Sequence, residues 1–237
     1  MIRHRISLHP VLVRLSGSLF IVFSCVQAQE TREIAWPDVP KIGVGVGMTV
    51  CGITAIELTD YINSLSGSSQ TVGRWNVAGE FSAASEFHLS GDMSLKIEYA
   101  YLLNSHSIND PLTGGKIDVS YGVHMPSVVL HYMIIGTKGY FLKFGGGAGY
   151  YIATLDQKFP LYLGASQSSA RGIGVKLDVS GQTPMGDNVF FVLGGNIRFS
   201  FMGDYSGGVF GEVPQSARSV SMNFIAIGAT MGFIYYF

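Results

Sequence analysis

From residue 41 to residue 237 the chain alternates, in run after run, between large apolar residues and small or charged ones. A period of two is the mark of a strand with two unlike faces. The pattern is plain at 173–180, where Ile173, Val175, Leu177 and Val179 are interleaved with Gly174, Lys176, Asp178 and Ser180. It recurs where Met93, Leu95, Ile97, Tyr99, Tyr101 and Leu103 alternate with Ser94, Lys96, Glu98 and Asn104. No stretch after residue 28 is an unbroken apolar run of about 18 residues, so no membrane-spanning helix is available there. Yet the chain is 47% hydrophobic and only 13% charged, where a soluble domain averages about 25% charged residues. The apolar face of these strands must therefore lie against something other than water.

Eight such runs are legible, near 41–52, 74–89, 92–104, 116–134, 139–153, 170–183, 187–202 and 219–237. Three connections are tight and carry turn residues: 89–92, 135–139 and 183–187. The other four, 53–73, 105–115, 154–169 and 203–218, read as long loops. Short turns at one end and long loops at the other are the asymmetry of an outer-membrane barrel. The first long loop holds a candidate helix, with Ile53, Ile56, Leu58, Tyr61, Ile62 and Leu65 at helical spacing. In the fourth run the apolar parity changes around Pro126, which lacks the N–H for a ladder bond, so a bulge is expected there.

A closed eight-stranded barrel leaves an interior only just wide enough for side chains. The Phe, Leu, Ile and Tyr face would overfill it. The other face, with Gly43, Gly45, Gly47, Gly145, Gly147 and Gly149, suits a crowded lumen. The charges then point inward: Glu80, Glu86, Lys96, Glu98, Asp118, Lys143, Lys176, Asp178 and Arg198, with His88 and His131 nearby. Near-balance of sign implies pairing, because an isolated buried charge is costly. A turn at Gly91 sets Glu86 opposite Lys96. Strand-end tyrosines (Tyr99, Tyr101, Tyr132, Tyr140, Tyr151 and Tyr235) suit interfacial girdles. Phe224 and Ile234 depart from the pattern, being apolar on the lumen face.

The N-terminus reads as a signal peptide over 1–28. Arg3, Arg5 and Arg14 precede an apolar run from Leu15 to Val26, and Val26-Gln27-Ala28 fits a small-residue cleavage site. A competing reading makes Cys25 a lipidation site. Residues 29–40 read as a periplasmic lead-in, and 41–237 as one barrel domain. The last run, Ile225, Ile227, Ala229, Met231, Phe233, Tyr235 and Phe237, resembles the C-terminal signature of bacterial outer-membrane proteins. With the leader and eight strands, the chain resembles the small OmpA/OmpX-type barrel superfamily. That resemblance implies an all-β, antiparallel transmembrane barrel in a bacterial outer membrane, with both ends periplasmic. It implies outer-membrane lipid, lipopolysaccharide and the barrel-assembly machinery as partners, the last recognising Phe233, Tyr235 and Phe237.

Other chemistry is weakly signalled. The chain has 15 basic and 16 acidic residues, and without Arg3, Arg5 and Arg14 its balance is acidic, so there is no nucleic-acid footprint. Cys51 is the sole cysteine after the leader, which excludes a disulfide framework and a paired-cysteine metal site. The glycine runs lack the Lys-Ser/Thr of a phosphate loop. No cofactor or metal is expected. Some barrels of this kind act as lipid-modifying enzymes or proteases, and His88 with Ser90, His124 with Ser127, and His106 with Ser105, Ser107 and Asp110 are the local candidates. The reading adopted is an envelope-structural or surface-interaction protein with a salt-bridged lumen. A narrow channel and a lipid A-modifying enzyme are the alternatives.

Overall fold

The structure, a computed structural model, describes residues 42–65, 71–90, 92–109, 115–135, 140–158, 165–205 and 220–237. The expected leader at 1–28 and lead-in at 29–40 lie outside these residues. The described residues form eight antiparallel strands: β1 (Ile42–Thr54), β2 (Asn76–Ser90), β3 (Met93–Asn109), β4 (Lys116–Ile135), β5 (Phe141–Lys158), β6 (Ala165–Pro184), β7 (Val189–Met202) and β8 (Phe224–Tyr236). Each pairs with the next, and β8 pairs with β1, closing the barrel. A helix, α1 (Ile56–Leu65), follows β1.

The register sets the bore. From Gly43 the paired residues run through Glu86, Lys96, Val129, Gly147, Lys176, Arg198 and Ala226 to Ile53. One circuit thus returns to β1 ten residues further along. This stagger tilts the strands and fixes the radius of the cylinder. The same path climbs the lumen wall past Glu86, Lys96, Lys176 and Arg198, which places these charges on a rising spiral.

At the short-turn end and through the middle, the outward face is apolar. Val44, Val46, Met48, Ile97, Val128, Leu130, Phe144, Leu177, Leu193, Met231 and Phe233 are all exposed. Nearer the other end the pattern inverts. There the inward residues are apolar (Ile108, Ile117, Val119, Tyr121, Val123, Met125, Ala153, Leu155) and buried. The outward ones (Ser105, Ser107, Asp118, Lys158) are polar and exposed.

This inversion replaces the expected bulge at Pro126. β4 keeps odd residues inward and even residues outward along its described length. The β4–β5 partner series is interrupted at Met125 and Pro126 and resumes in the same register, and β3 passes Pro126 opposite Tyr99 without a shift. The parity change in the sequence is therefore chemical, not geometric: the same face that is polar in the middle of the lumen is apolar near the mouth. The inversion also explains why much of 105–115 and 154–169 reads as loop. Those residues extend β3, β5 and β6 beyond the apolar band, where an outward apolar stripe is lost.

α1 lies in the mouth. Leu58 and Ile62 are buried in a cluster with Ile53, Leu102, Met125, Tyr151, Leu155, Met222 and Phe224. Ala55 O accepts from Thr59 N at 2.9 Å to begin the helix. Glu57 Oε2 accepts from Ser221 N at 3.1 Å, and the Tyr61 hydroxyl meets the Gln157 amide at 2.9 and 3.2 Å. Asn63 makes two hydrogen bonds to Val72 backbone, returning the chain towards β2. Beside this cluster, burial holds the Tyr205 phenol above its usual pKa.

Glycine matters most where a large inward side chain needs space. A Cβ on Gly174 would lie 2.0 Å from the Tyr151 ring, whereas one on the outward Gly181 of the same strand meets nothing nearer than 3.8 Å. Gly174→Ala is therefore expected to lower the yield of heat-modifiable folded barrel in detergent, and Gly181→Ala to leave it near wild type. Gel mobility of unheated samples checks both.

Candidate functional site

The middle of the lumen is filled by charge. Glu80 and Glu86 come from β2, Lys96 and Glu98 from β3, Lys143 from β5, Lys176 and Asp178 from β6, and Arg198 from β7. All point inward because they share the inward parity of their strands. Asp118 does not belong with them. It is exposed on the outward face of β4, opposite Lys158. The expectation that it faced the lumen rested on a bulge at Pro126, and with the register unbroken Asp118 shares the parity of the outward Val128 and Leu130. Without it, four acidic and four strongly basic lumen residues remain among the described residues.

The upper part of the column is built on Arg198, which is fully buried. Its Nε and NH2 donate to the two Glu80 oxygens at 2.9 and 2.8 Å, and NH2 also donates to Glu98 at 2.7 Å. NH1 donates to the Tyr151 hydroxyl at 3.3 Å. This is the planar fork-to-carboxylate match that favours Arg over Lys. Lys176 donates to both Glu98 oxygens at 2.7 and 2.8 Å. Lys96 bridges Asp178 at 2.8 Å and Glu98 at 3.2 Å, and His131 Nε2 lies 2.8 Å from Asp178.

The lower part is built on Glu86, which pairs with Lys143. Lys143 also donates to the Tyr236 hydroxyl at 2.9 Å, which in turn donates to Gln182 at 2.8 Å. His88 Nε2 lies 3.5 Å from Glu86. In register, Glu86 stands opposite Lys96. Their charged ends part company, because Lys96 reaches across to Asp178 while Glu86 is taken by Lys143.

Apolar side chains pack at both ends of the column. Towards the long-loop end lie α1 and its apolar cluster. Towards the short-turn end Phe141, Phe190, Ile234 and Tyr236 pack together, with Val192 against them. The Phe190 ring meets Tyr236 edge-on at 5.2 Å, and Lys143 Nζ sits 5.5 Å from the Phe141 centroid. Phe224 and Ile234, the apolar residues that broke the lumen pattern, are thus members of the two seals. Beside the column a cavity of about 80 Å³ is walled by Gly45, Gly47, Ser82, Gly194, Asn196 and Thr230. That is well above the roughly 10–15 Å³ a cavity needs to hold one water.

Tyr151 is a second correction. It was expected in an outer girdle, but its parity is inward; it is buried and orients Arg198. Tyr236 and Gln182 were not singled out from sequence, although inward parity in their strands is a legible signal for both. Of the other aromatic residues, Tyr99, Tyr132 and Tyr235 are exposed outward. Phe233 and Phe237 are also exposed; Phe233 meets Phe191 at 5.5 Å, and Phe237 meets Tyr235 at 4.9 Å.

The catalytic candidates are not assembled. His124 faces outward and Ser127 inward, with the Ser127 hydroxyl donating to Met125 O at 3.2 Å. His106 is inward beside the Tyr121 ring, while Ser105 and Ser107 point outward. His88 lies at the lower seal, 5.4 Å from the Tyr236 ring, and Ser90 is exposed. Asp110 lies outside the described residues. Among the described residues no three His, Cys, Asp or Glu side chains converge as a metal site. Cys51 is a free, buried thiol donating to Ala78 O at 3.5 Å.

No known protein family matches the chain, and no curated protein is recognisably similar to it. Solved structures are similar in fold. The crystal structure of neisserial surface protein A superposes with a TM-score of 0.53 at 10% identity, covering 83% of this chain and 97% of that one. The Yersinia pestis attachment invasion locus protein, Ail, in complex with a heparin analogue, gives 0.48 at 8% identity, covering 84% and 99%. A major outer membrane protein from Thermus thermophilus gives 0.48 at 11% identity, covering 83% and 99%. The architecture is that of the small eight-stranded OmpA/OmpX-type barrels.

The column makes two predictions. Arg198→Met leaves Glu80 buried without its partner and should cost about 3–5 kcal/mol, read from urea unfolding of the lipid-folded barrel. Adding Glu80→Gln should recover part of that loss. Separately, Glu86→Lys and Lys143→Glu should each destabilise, and the double exchange should restore the unfolding midpoint. Combining Glu86→Lys with Lys96→Glu should not, since Lys96 serves Asp178 and Glu98.

Proposed function

We propose that this chain is an integral outer-membrane barrel, closed to solute flow, that serves the envelope as a structural or surface-interaction protein. The observation that carries the reading is the apolar packing at both ends of the lumen: α1 and its apolar cluster at one end, Phe141, Phe190, Ile234 and Tyr236 at the other. A barrel with an apolar exterior is stable only in apolar surroundings, and closed β-barrels are one of two backbone solutions that satisfy every hydrogen bond there. The ion column between the seals fills space and holds the wall residues in register. In this reading the short-turn end is periplasmic, so Ile42 and Phe237 lie on that side, and α1 with the extended β3–β6 wall lies outside the cell. Phe233, Tyr235 and Phe237 act as the assembly determinant, and the chain carries out no catalysis.

Single-channel recording in planar bilayers is expected to show no discrete conductance steps; steps of fixed size would overturn the closed lumen. Lipid A isolated with and without expression of the chain is expected to have the same acylation pattern, and a new species in the mass spectrum would restore the enzyme reading.

A further inference from the structure

Two nitrogen groups meet one oxygen at the lower seal. Lys143 Nζ holds Glu86 Oε1, and His88 Nε2 stands 3.5 Å from the same atom. At that distance the imidazole is in contact with the carboxylate but makes no well-formed hydrogen bond. Neither His88 nitrogen has a hydrogen-bond partner among the described residues. The side chain is nevertheless only 6% exposed. It packs on the seal itself, with its ring 5.4 Å from that of Tyr236 and 6.5 Å from that of Phe141. Phe190 backs both of these rings, 5.7 Å from Phe141 and 5.2 Å from Tyr236.

The charges around His88 can be followed strand by strand. On β2 its neighbour is Glu86. On β3 its register partner is Ser94. β5 brings Phe141 and Lys143, and Lys143 Nζ also lies 5.6 Å from the Tyr236 centroid. β8 brings Tyr236, whose hydroxyl accepts from Lys143 and donates to Gln182 of β6. Lys96, opposite Glu86 in register, is turned to Asp178. His131 of β4, the register partner of Ser94, is bonded to Asp178 as well. One negative charge, Glu86, thus answers one positive charge, Lys143. The pocket is balanced only while His88 is neutral.

We propose that His88 makes the lower seal open on acidification, a response that goes beyond the closed barrel proposed above. An imidazole changes charge between about pH 5 and pH 8. Once protonated, both of its nitrogens are donors, and a second cation is enclosed with a single carboxylate. A buried charge without a partner of its own is costly, and Glu86 is already committed to Lys143. The imidazolium is relieved by water. β2 ends two residues further on, at the exposed Ser90, so water lies just past the seal. Hydrating His88 parts its ring from Tyr236 and Phe141 and lets water in beside Phe190. The α1 cluster shares no residue with this pocket, so the opening is one-sided, towards the short-turn end, and gives no path through the barrel.

The test is the water exposure of the seal in the lipid-folded chain between about pH 8 and pH 5. In the unsubstituted chain, water-edited solid-state NMR should show the Tyr236 ring signal rising roughly threefold on acidification. Fluorescence reads the same event from Phe190→Trp, combined with Trp36→Phe and Trp75→Phe to remove the native tryptophans. Quenching by acrylamide should again rise roughly threefold at the acid end. His88→Gln and His88→Phe, one polar and one aromatic, should each hold both readouts at their alkaline level. His131→Gln, which removes the imidazole bonded to Asp178, should leave the rise intact. A flat response in the unsubstituted chain overturns the proposal, as does a rise that persists in both His88 variants or vanishes in His131→Gln. Planar-bilayer recording at the acid end is expected to show no conductance steps, and steps there would overturn the one-sided opening.

Discussion

A closed eight-stranded sheet with this stagger has a bore too narrow to be left empty and too narrow for the bulky apolar face of its own strands. Everything inside must therefore pack, and every charge inside must find a partner within the width of the lumen. Arg198 shows how that constraint is met. One guanidinium spans Glu80 and Glu98 and holds the Tyr151 hydroxyl, so residues from β2, β3, β5 and β7 are tied together by a single group. Lys176, Lys96 and His131 extend the same network, and Gly174 and Gly145 give the larger side chains room. The cost of moving these charges out of water is offset only because nearly every oxygen and ammonium proton has a nearby counterpart.

The wall of the barrel passes through two environments, and the inversion near Pro126 is their boundary. In the apolar band, lipid-like surroundings favour apolar groups outside and leave the polar ones to face the lumen. Beyond it the exterior is polar, and the same strands bury Ile108, Ile117, Val119 and Leu155 inward, as a soluble barrel does. α1 completes that second core. The ion column is stacked against an apolar plug on one side and an aromatic cluster on the other.

The strand count, the antiparallel order and the inward parity of eight of the nine charges were legible in the alternation, because a period of two is a local property of the chain. Asp118 and Tyr151 were misplaced for one reason. Parity tells which residues share a face, but the chemistry of that face depends on what surrounds it, and this changes partway up the strand. A hydrophobicity shift and a bulge look alike in one dimension.

The sequence by itself determined an all-β chain with one apolar and one polar face, enough for a barrel, and a near-balanced set of lumen charges. Only the tertiary structure decided which charge meets which. Glu86 and Lys96 are register neighbours, yet Lys143 takes Glu86 and Asp178 takes Lys96, because side chains of this length reach across a narrow lumen as easily as along its wall. It also decided that Phe224 and Ile234, exceptions in the linear pattern, are parts of two seals. Those seals exist because strands far apart in sequence end at the same height, and no periodicity within a strand records that.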